Sequence, residues 1–221
     1  MPEPRNCIFR LFRYRRCLRD LKDLGYVKVF SDNLGSASGV TAAQVRKDFS
    51  LFGITGNKKG GYIIEVLLEK MNRILGKDEV QKVILVGTGN LGSALLKYKG
   101  FEKEDISLVA AFDADPAKHG RIGNIPVYPV RDILDFVKQN RIKVAVLAVP
   151  AAVAQESAEM LIASGIRGLL NFTPVTLKVQ NVIVVNNINL AIELENAIYY
   201  VNALEKKQKD LVLDQDGVKK V

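Results

Sequence analysis

Apolar residues recur along this chain with two different periods. In residues 5–24, Ile8, Leu11, Leu18, Leu21 and Leu24 fall on one stripe at helical spacing, and Gly25 stands where a left-handed residue closes a helix. Tyr26-Val27-Lys28-Val29-Phe30 predicts a short strand. Ser31 is placed to cap a short helix that ends near Gly39. Thr41-Ala42-Ala43-Gln44 is a capping-box pattern that opens a second helix over residues 42–52, ended by Gly53. Two short helices joined by a Gly-containing turn read as a helix-turn-helix. The run Gly56-Asn57-Lys58-Lys59-Gly60-Gly61 then predicts a turn with a basic tip, leading into Tyr62-Ile63-Ile64. Residues 65–75 follow as a closing helix with Val66, Leu67, Met71 and Ile74 inward, and Gly76-Lys77-Asp78 forms a linker.

The rest of the chain alternates between strand and helix. Residues 83–86, 107–112, 144–149, 168–171 and 182–185 are predicted strands, and 125–128 a short extended segment. Residues 91–98, 130–140 and 151–164 carry helical patterns between them. Continuous apolar strands separated by helices imply right-handed crossovers and a buried parallel sheet. A last helix over residues 190–207 carries Ala191, Leu194, Ala197, Ile198, Val201 and Leu204 as a broad apolar stripe, with Tyr199 and Tyr200 beside it. It is too apolar to stand alone in water, so it must pack on its own sheet or on another subunit. Residues 208–221 are charged and predict a disordered tail.

Charge divides the chain at the linker. Residues 1–77 hold 15 Lys+Arg against 7 Asp+Glu, while the remainder balances, so the net charge of +8 lies in the first part. A basic module joined to a neutral one suggests contact with a polyanion. No apolar stretch reaches the roughly 18 residues that span a bilayer, and no signal peptide is visible, which predicts a cytoplasmic protein without a membrane partner. Cys7 and Cys17 are the only cysteines. With one histidine in the chain they make no metal site, and they read as reduced structural thiols or, alternatively, a redox disulfide.

The most specific chemistry follows the strand at 83–86, where Gly87-Thr88-Gly89-Asn90-Leu91-Gly92 spells G-x-G-x-x-G. The first Gly makes a tight turn, the second lets backbone approach a pyrophosphate, and the third lets helix pack on strand. The helix N-terminus then offers amides and its dipole to phosphate. Asp113 ends the next strand at the distance expected of a residue that binds the adenosine ribose hydroxyls. It is followed by Ala114 and Asp115 rather than arginine, which disfavours the 2′-phosphate of NADP. Ala148-Val149-Pro150 and Phe172-Thr173-Pro174 lie at later strand ends, flanking the crevice or simply turning the chain. The helix at 42–52 displays Gln44, Arg46 and Lys47 near its start, where a recognition helix meets base edges. Lys58 and Lys59 suit a wing that reaches phosphates or the minor groove, or an ordinary exposed hairpin. Arg10, Arg13, Arg15, Arg16 and Arg19 line the polar face of the first helix, a solvated face or a phosphate contact. His119 sits in a loop far in sequence from those strand ends and reads as a surface residue, and no catalytic constellation is visible.

The fold class is therefore α/β: an N-terminal winged helix-turn-helix over residues 1–77, a doubly wound parallel-sheet domain of Rossmann type over 78–187, and a C-terminal helix over 188–207. Val45-Arg46-Lys47-Asp48-Phe49-Ser50-Leu51-Phe52-Gly53, the Gly56 to Tyr62 turn, the glycine motif with Ser93-Ala94, Phe112-Asp113-Ala114-Asp115, Ala148-Val149-Pro150-Ala151 and Leu170-Asn171-Phe172-Thr173-Pro174 together resemble the Rex family of bacterial redox-sensing repressors. The resemblance implies a homodimer with domain-swapped C-terminal helices that binds a palindromic double-stranded DNA operator and is not an enzyme. NADH and NAD⁺ would act as effectors, with release when NADH closes the dimer. It places Phe172, Ala148, Val149, Pro150 and Tyr199 around the nicotinamide, and makes Arg16, Tyr98 and Asn189 a switch, with Asn189 standing where an Asp is usual. A small NAD-linked enzyme and a CoA-binding scaffold are the competing readings.

Overall fold

A computed structural model describes residues 5–56 and 60–217, with side chains over 6–56 and 60–207. The chain divides into two compact units, Met1–Gln81 and Lys82–Val221.

The first unit runs α1 (Arg5–Asp23), β1 (Lys28–Val29), α2 (Ser31–Ser38), α3 (Ala42–Leu51), β2 (Tyr62–Ile63) and α4 (Ile64–Leu75). β1 and β2 pair antiparallel, Lys28 opposite Ile63 and Val29 opposite Tyr62. Leu11, Tyr14 and Leu18 of α1 meet Leu34, Val45 and Phe49 of α2 and α3, with Leu67 and Met71 of α4 closing the core. Tyr14 and Tyr62 set their ring edges against Phe49 at centroid distances of 5.7 and 5.1 Å. Thr41 caps α3 by accepting from the Gln44 amide at 3.1 Å. A Cβ on Gly35 would lie 2.8 Å from the Val40 carbonyl, so the tight approach of α2 to the turn before α3 requires glycine there.

Several expected faces shift. Leu24 lies beyond the end of α1 and is exposed, and Tyr14 takes a core position outside the expected stripe. α4 starts one residue early, so its buried face is Ile64, Leu67, Leu68 and Met71, at the i, i+3, i+4, i+7 spacing, and Val66 turns outward. Ser31 is the first helical residue of α2 rather than its cap; Phe30 occupies the cap position without a side-chain bond. Arg15 is buried, not solvated, with its Nε donating to Asn72 Oδ1 at 2.6 Å.

The second unit runs β3 (Gln81–Val86), α5 (Asn90–Leu96), β4 (Ile106–Asp113), β5 (Gly120–Ile122), β6 (Ile125–Pro129), α6 (Ile133–Asn140), β7 (Val144–Leu147), α7 (Ala154–Ser164), β8 (Gly168–Asn171), β9 (Val184–Asn187) and α8 (Leu190–Gly217). They build a seven-stranded sheet in the order β5-β6-β4-β3-β7-β8-β9. β7 lies parallel to β3, β8 to β7, β9 to β8 and β6 to β4. Residues of β3 alternate between two cores. Ile84 and Val86 join α6 and α7 on one face, while Val83 and Leu85 join Leu96 of α5 on the other. From β3 the chain steps to β4 on one side and later to β7 on the other. That reversal opens a crevice at the carboxyl ends of these strands.

The sheet departs from a purely parallel one at its edge. β5 is an unexpected strand, antiparallel to β6 through a two-residue turn, Gly123-Asn124, with Gly123 at φ 60°. The last strand is Val184–Asn187 rather than 182–185: it is an edge strand, held by backbone pairing and by Asn171 Nδ2 donating to Asn187 Oδ1 at 2.8 Å. The third expected strand stops at Leu147, leaving residues 148–150 in the loop above the sheet. α8 continues to Gly217 instead of ending near Lys207, so the tail expected to be disordered begins as helix.

Candidate nucleotide cavity and DNA-facing helix

The crevice above β3, β4 and β7 holds a cavity of about 860 Å³, lined by Gly87, Gly89, Asn90, Leu91, Asp113, Ala148, Val149, Pro150 and Phe172 among others. That volume lies within the ordinary range for a ligand site. The three motif glycines do different work. Gly87 has φ 94°, and a Cβ there would lie 2.4 Å from the Ala148 carbonyl. A Cβ on Gly92 would lie 1.9 Å from the Gly87 carbonyl. A Cβ on Gly89 would meet nothing within 4 Å. Packing therefore demands the first and third glycines, whereas the bare backbone at Gly89 serves only what enters the cavity. Gly89 is also the N-cap of α5, without a side-chain cap, so α5 amides remain available for phosphate.

Asp113 lines this cavity but is committed within the protein as well. Its Oδ2 accepts from the amide and the hydroxyl of Thr88, both at 2.7 Å, and its Oδ1 from the Asp115 amide at 2.9 Å. The Lys118 ammonium stands 3.3 Å from Oδ2. Burial alone would raise this carboxyl, but the Asp115 and Thr88 donors and Lys118 outweigh it and hold the pKa at about 2. Asp113 thus pins the glycine turn to the end of β4 while remaining an acceptor toward the cavity. Thr88 turns down onto Asp113 instead of lining the cavity. His119 places Nε2 2.9 Å from the Asp113 carbonyl, which makes that nitrogen a donor and gives the ring a structural partner.

Thr173 and Pro174 face a smaller adjoining cavity of about 190 Å³, shared with Leu91, Phe172 and Asn189. Phe172 borders both. Tyr199 lines neither and is 67% exposed on α8. Lys118, Val130, Val153, Glu156, Ser157 and Met160 also line the main cavity, beyond the residues expected there. The 153, 156, 157, 160 spacing is one face of the turn and helix after β7, a signal the sequence does contain. Tyr98 is exposed with its ring edge on Phe101 at 5.1 Å. Asn189 caps α8, its Oδ1 accepting from the amides of Ala191 and Ile192 at 3.1 and 3.2 Å.

On the basic unit, Arg46 and Lys47 are exposed along α3. Gln44 is half-buried and donates through Nε2 to Asp48 Oδ1 at 2.8 Å. Asp48, 2% exposed, also accepts from Arg10 Nε and Nη2 at 2.6 and 2.7 Å, Tyr14 Oη at 2.8 Å and Cys7 Sγ at 3.4 Å. Burial opposes its charge, yet Arg10, Tyr14, Gln44 and Cys7 hold its pKa at about 2. Arg10 and Arg15 are therefore structural, and Arg13 and Arg16 remain on the outer face, beside Ser38 and Asp20. Lys58 and Lys59 lie outside the described residues. Cys7 and Cys17 share α1, about 15 Å apart along its axis at helical rise, too far for a disulfide within the chain. Among the described residues no cluster of His, Cys, Asp and Glu could hold a metal, and no helix is long and apolar enough to cross a membrane.

Residues 4–50 match the family of putative DNA-binding protein N-termini, and residues 78–175 match the CoA-binding domain family. The redox-sensing transcriptional repressor Rex of Caldicellulosiruptor saccharolyticus is 41% identical over 202 residues, covering 90% of this chain and 92% of that protein. The Rex repressor of Chloroflexus aggregans is 42% identical over 88% of this chain and 92% of its own length. Among solved structures, the Rex-family repressor RSP in complex with NAD⁺ and operator DNA is 34% identical, with a TM-score of 0.86 over 95% of this chain and 97% of that one. RSP in complex with NADH gives 0.82 over 95% and 99%. With this identity sustained through both units, the chain belongs to the Rex family of redox-sensing transcriptional repressors.

Proposed function

We propose that this protein is a homodimeric, DNA-binding transcriptional repressor that binds a palindromic operator through α3 and its wing and leaves it when NADH occupies the cavity over the glycine turn. The observation that carries the reading is the pairing, in one chain, of a basic helix-turn-helix with a cavity whose second motif glycine is demanded by no internal contact.

The residues present fit an NAD-type dinucleotide. Gly89, Asn90 and the α5 amides would hold the pyrophosphate, Asp113 the ribose hydroxyls, and Leu91, Ala148, Val149, Pro150 and Phe172 the nicotinamide end, with Thr173 and Pro174 shaping the adjoining wall and Tyr199 supplied from a swapped α8. The bound dinucleotide acts as an effector and is not turned over. The only histidine is tied to the Asp113 carbonyl. An apolar wall accepts the neutral reduced ring more readily than the cationic oxidised one, which loses solvation on entry. That difference is what allows the chain to sense the NADH/NAD⁺ ratio, because a ligand shifts an equilibrium only by its differential affinity for the two states. Arg16, Tyr98 and Asn189 exchange partners between the DNA-bound and released forms, with a coupling of about 1–3 kcal/mol per site.

Fluorescence anisotropy on a palindromic duplex tests this, with NADH and NAD⁺ titrated separately. Release by NADH and retention with NAD⁺ is the expected result. Binding that neither nucleotide alters would assign the cavity to another ligand, with CoA the first to try. Loss of binding on Arg46→Ala is expected to be about 1–3 kcal/mol with relaxed sequence preference.

A further inference from the structure

Asp48 sits where α1 and α3 meet, and it takes five donors. Arg10 Nε and Nη2, Tyr14 Oη and Cys7 Sγ come from successive turns of α1, and Gln44 Nε2 comes from one turn earlier on α3. An ionised carboxylate can only accept, so every group that meets it must present a proton. For Gln44 this removes the usual freedom of a side-chain amide. Its nitrogen is drawn to Asp48, and its oxygen stands on the opposite side of the amide. Gln44 lies in the first turn of α3, with Arg46 and Lys47 exposed just beyond it. Arg and Lys carry donors only, suited to the acceptor edge of guanine.

We propose that Asp48 is a positioning residue for sequence reading: by holding Gln44 Nε2 it makes α3 present an amide oxygen, and α3 thereby selects a base pair whose exocyclic amine, adenine N6 or cytosine N4, lies on the strand that Gln44 faces, rejecting guanine and thymine on that strand. The inference rests on the reading of α3 as the DNA-reading helix. It assigns one acceptor to a helix whose other forward side chains are donors, so one defined strand of the half-site carries adenine or cytosine next to the position read by Arg46 or Lys47.

Selection from a randomised palindromic duplex library tests it, using the full chain and the variants Gln44→Ala, Gln44→Met and Asp48→Leu, the last of which leaves no acceptor for Gln44. The wild type is expected to require adenine or cytosine, and to reject guanine and thymine, on one defined strand at one half-site position, and all three variants to lose the preference at that position alone. Replacing that base by purine or 2-pyrimidinone, which lack the amine, is expected to weaken wild-type binding about fivefold to tenfold and to leave the affinity of the Gln44 variants unaltered by the change. An Asp48→Leu chain that binds more weakly but selects the same sequence would make Asp48 a scaffold only and overturn the proposal. So would Gln44 variants with the wild-type preference, a result independent of how well Asp48→Leu folds. A wild-type chain that selects no sequence would instead remove the operator-binding reading itself.

Discussion

Two buried aspartates organise the polar interior, one in each unit, and both stay charged because donors surround them. Asp48 ties α1 to α3, and Asp113 ties the glycine turn to β4. Each has its folded pKa depressed to about 2 from an ordinary 3.8. A depressed carboxylate contributes stability that is complete above its unfolded pKa and is lost as pH falls through the folded one. The window is therefore roughly pH 4 to 2, and each group contributes about 2 kcal/mol across it, since a tenfold change in proton affinity is worth about 1.36 kcal/mol. Protection factors of the α3 amides, taken against the intrinsic exchange rate at each pH, are expected to fall across that window. In Asp48→Asn the same amides exchange faster at neutral pH, with a flatter acid limb. An unchanged acid limb in the variant would show that some other carboxylate controls it. Beside Asp48, burial and then the carboxylate push the Cys7 thiol up, and burial and then Asp20 do the same for Cys17, so neither forms a thiolate readily at neutral pH.

At the scale of elements, the turn from β3 into α5 separates two requirements that share one motif. Gly92→Ala would drive a methyl into the Gly87 carbonyl, and backbone cannot yield cheaply, so this variant is expected to lose several degrees in Tm. Gly89→Ala adds a methyl in open space at an ordinary φ of −64°, so Tm is expected to hold while NADH affinity falls at least tenfold. Thermal melts with NADH fluorescence titrations check both. If Gly89→Ala bound NADH like the wild type, the pyrophosphate would not cross that glycine. A similar division runs along α1 and α3: Arg15→Ala is expected to destabilise the basic unit by about 1–3 kcal/mol through the orphaned Asn72, whereas Arg46→Ala leaves its melting unchanged. Much of this is legible in the sequence. Thr41 announces α3 because its hydroxyl caps Gln44, and the apolar runs of β3 and β7 announce strands buried on both faces. The apolar pattern misplaces β9 because an edge strand is held by backbone and by Asn171 and Asn187, which carry no hydrophobic signal. Gly123-Asn124 is a readable hairpin turn hidden among loop residues. The rule that charge faces water fails for Arg15, which is buried, and in part for Arg10, which is half-buried, because their pairings join residues 38 or more positions apart.

For the whole molecule, the decisive feature is α8. Leu190, Ile192, Leu194, Ile198, Val201 and Leu204 are all exposed on it, and none of them belongs to the cores of the sheet. A helix this apolar gains its stability from packing, at about 25 cal/mol for each Å² removed from water, so the missing surface is best supplied by a second copy. Light scattering is expected to give a dimer for the full chain and a monomer for a chain stopped after Asn187, with the sheet of the shortened chain still melting cooperatively. Two linked half-site contacts reinforce each other by about 10²–10⁴, so the monomer is expected to lose operator binding by a similar factor. Asn189 opens α8 and caps it through Oδ1. Aspartate caps equally well, so Asn189→Asp leaves the helix intact and adds one negative charge at the position proposed for the switch. If this position exchanges partners with Arg16 and Tyr98, the added charge creates an ion pair with Arg16 where asparagine offers only a hydrogen bond, and shifts the NADH concentration that releases half of the DNA. An unaltered release curve, with the dimer intact, would mean that Asn189 serves only as the cap it already forms and that the switch lies elsewhere.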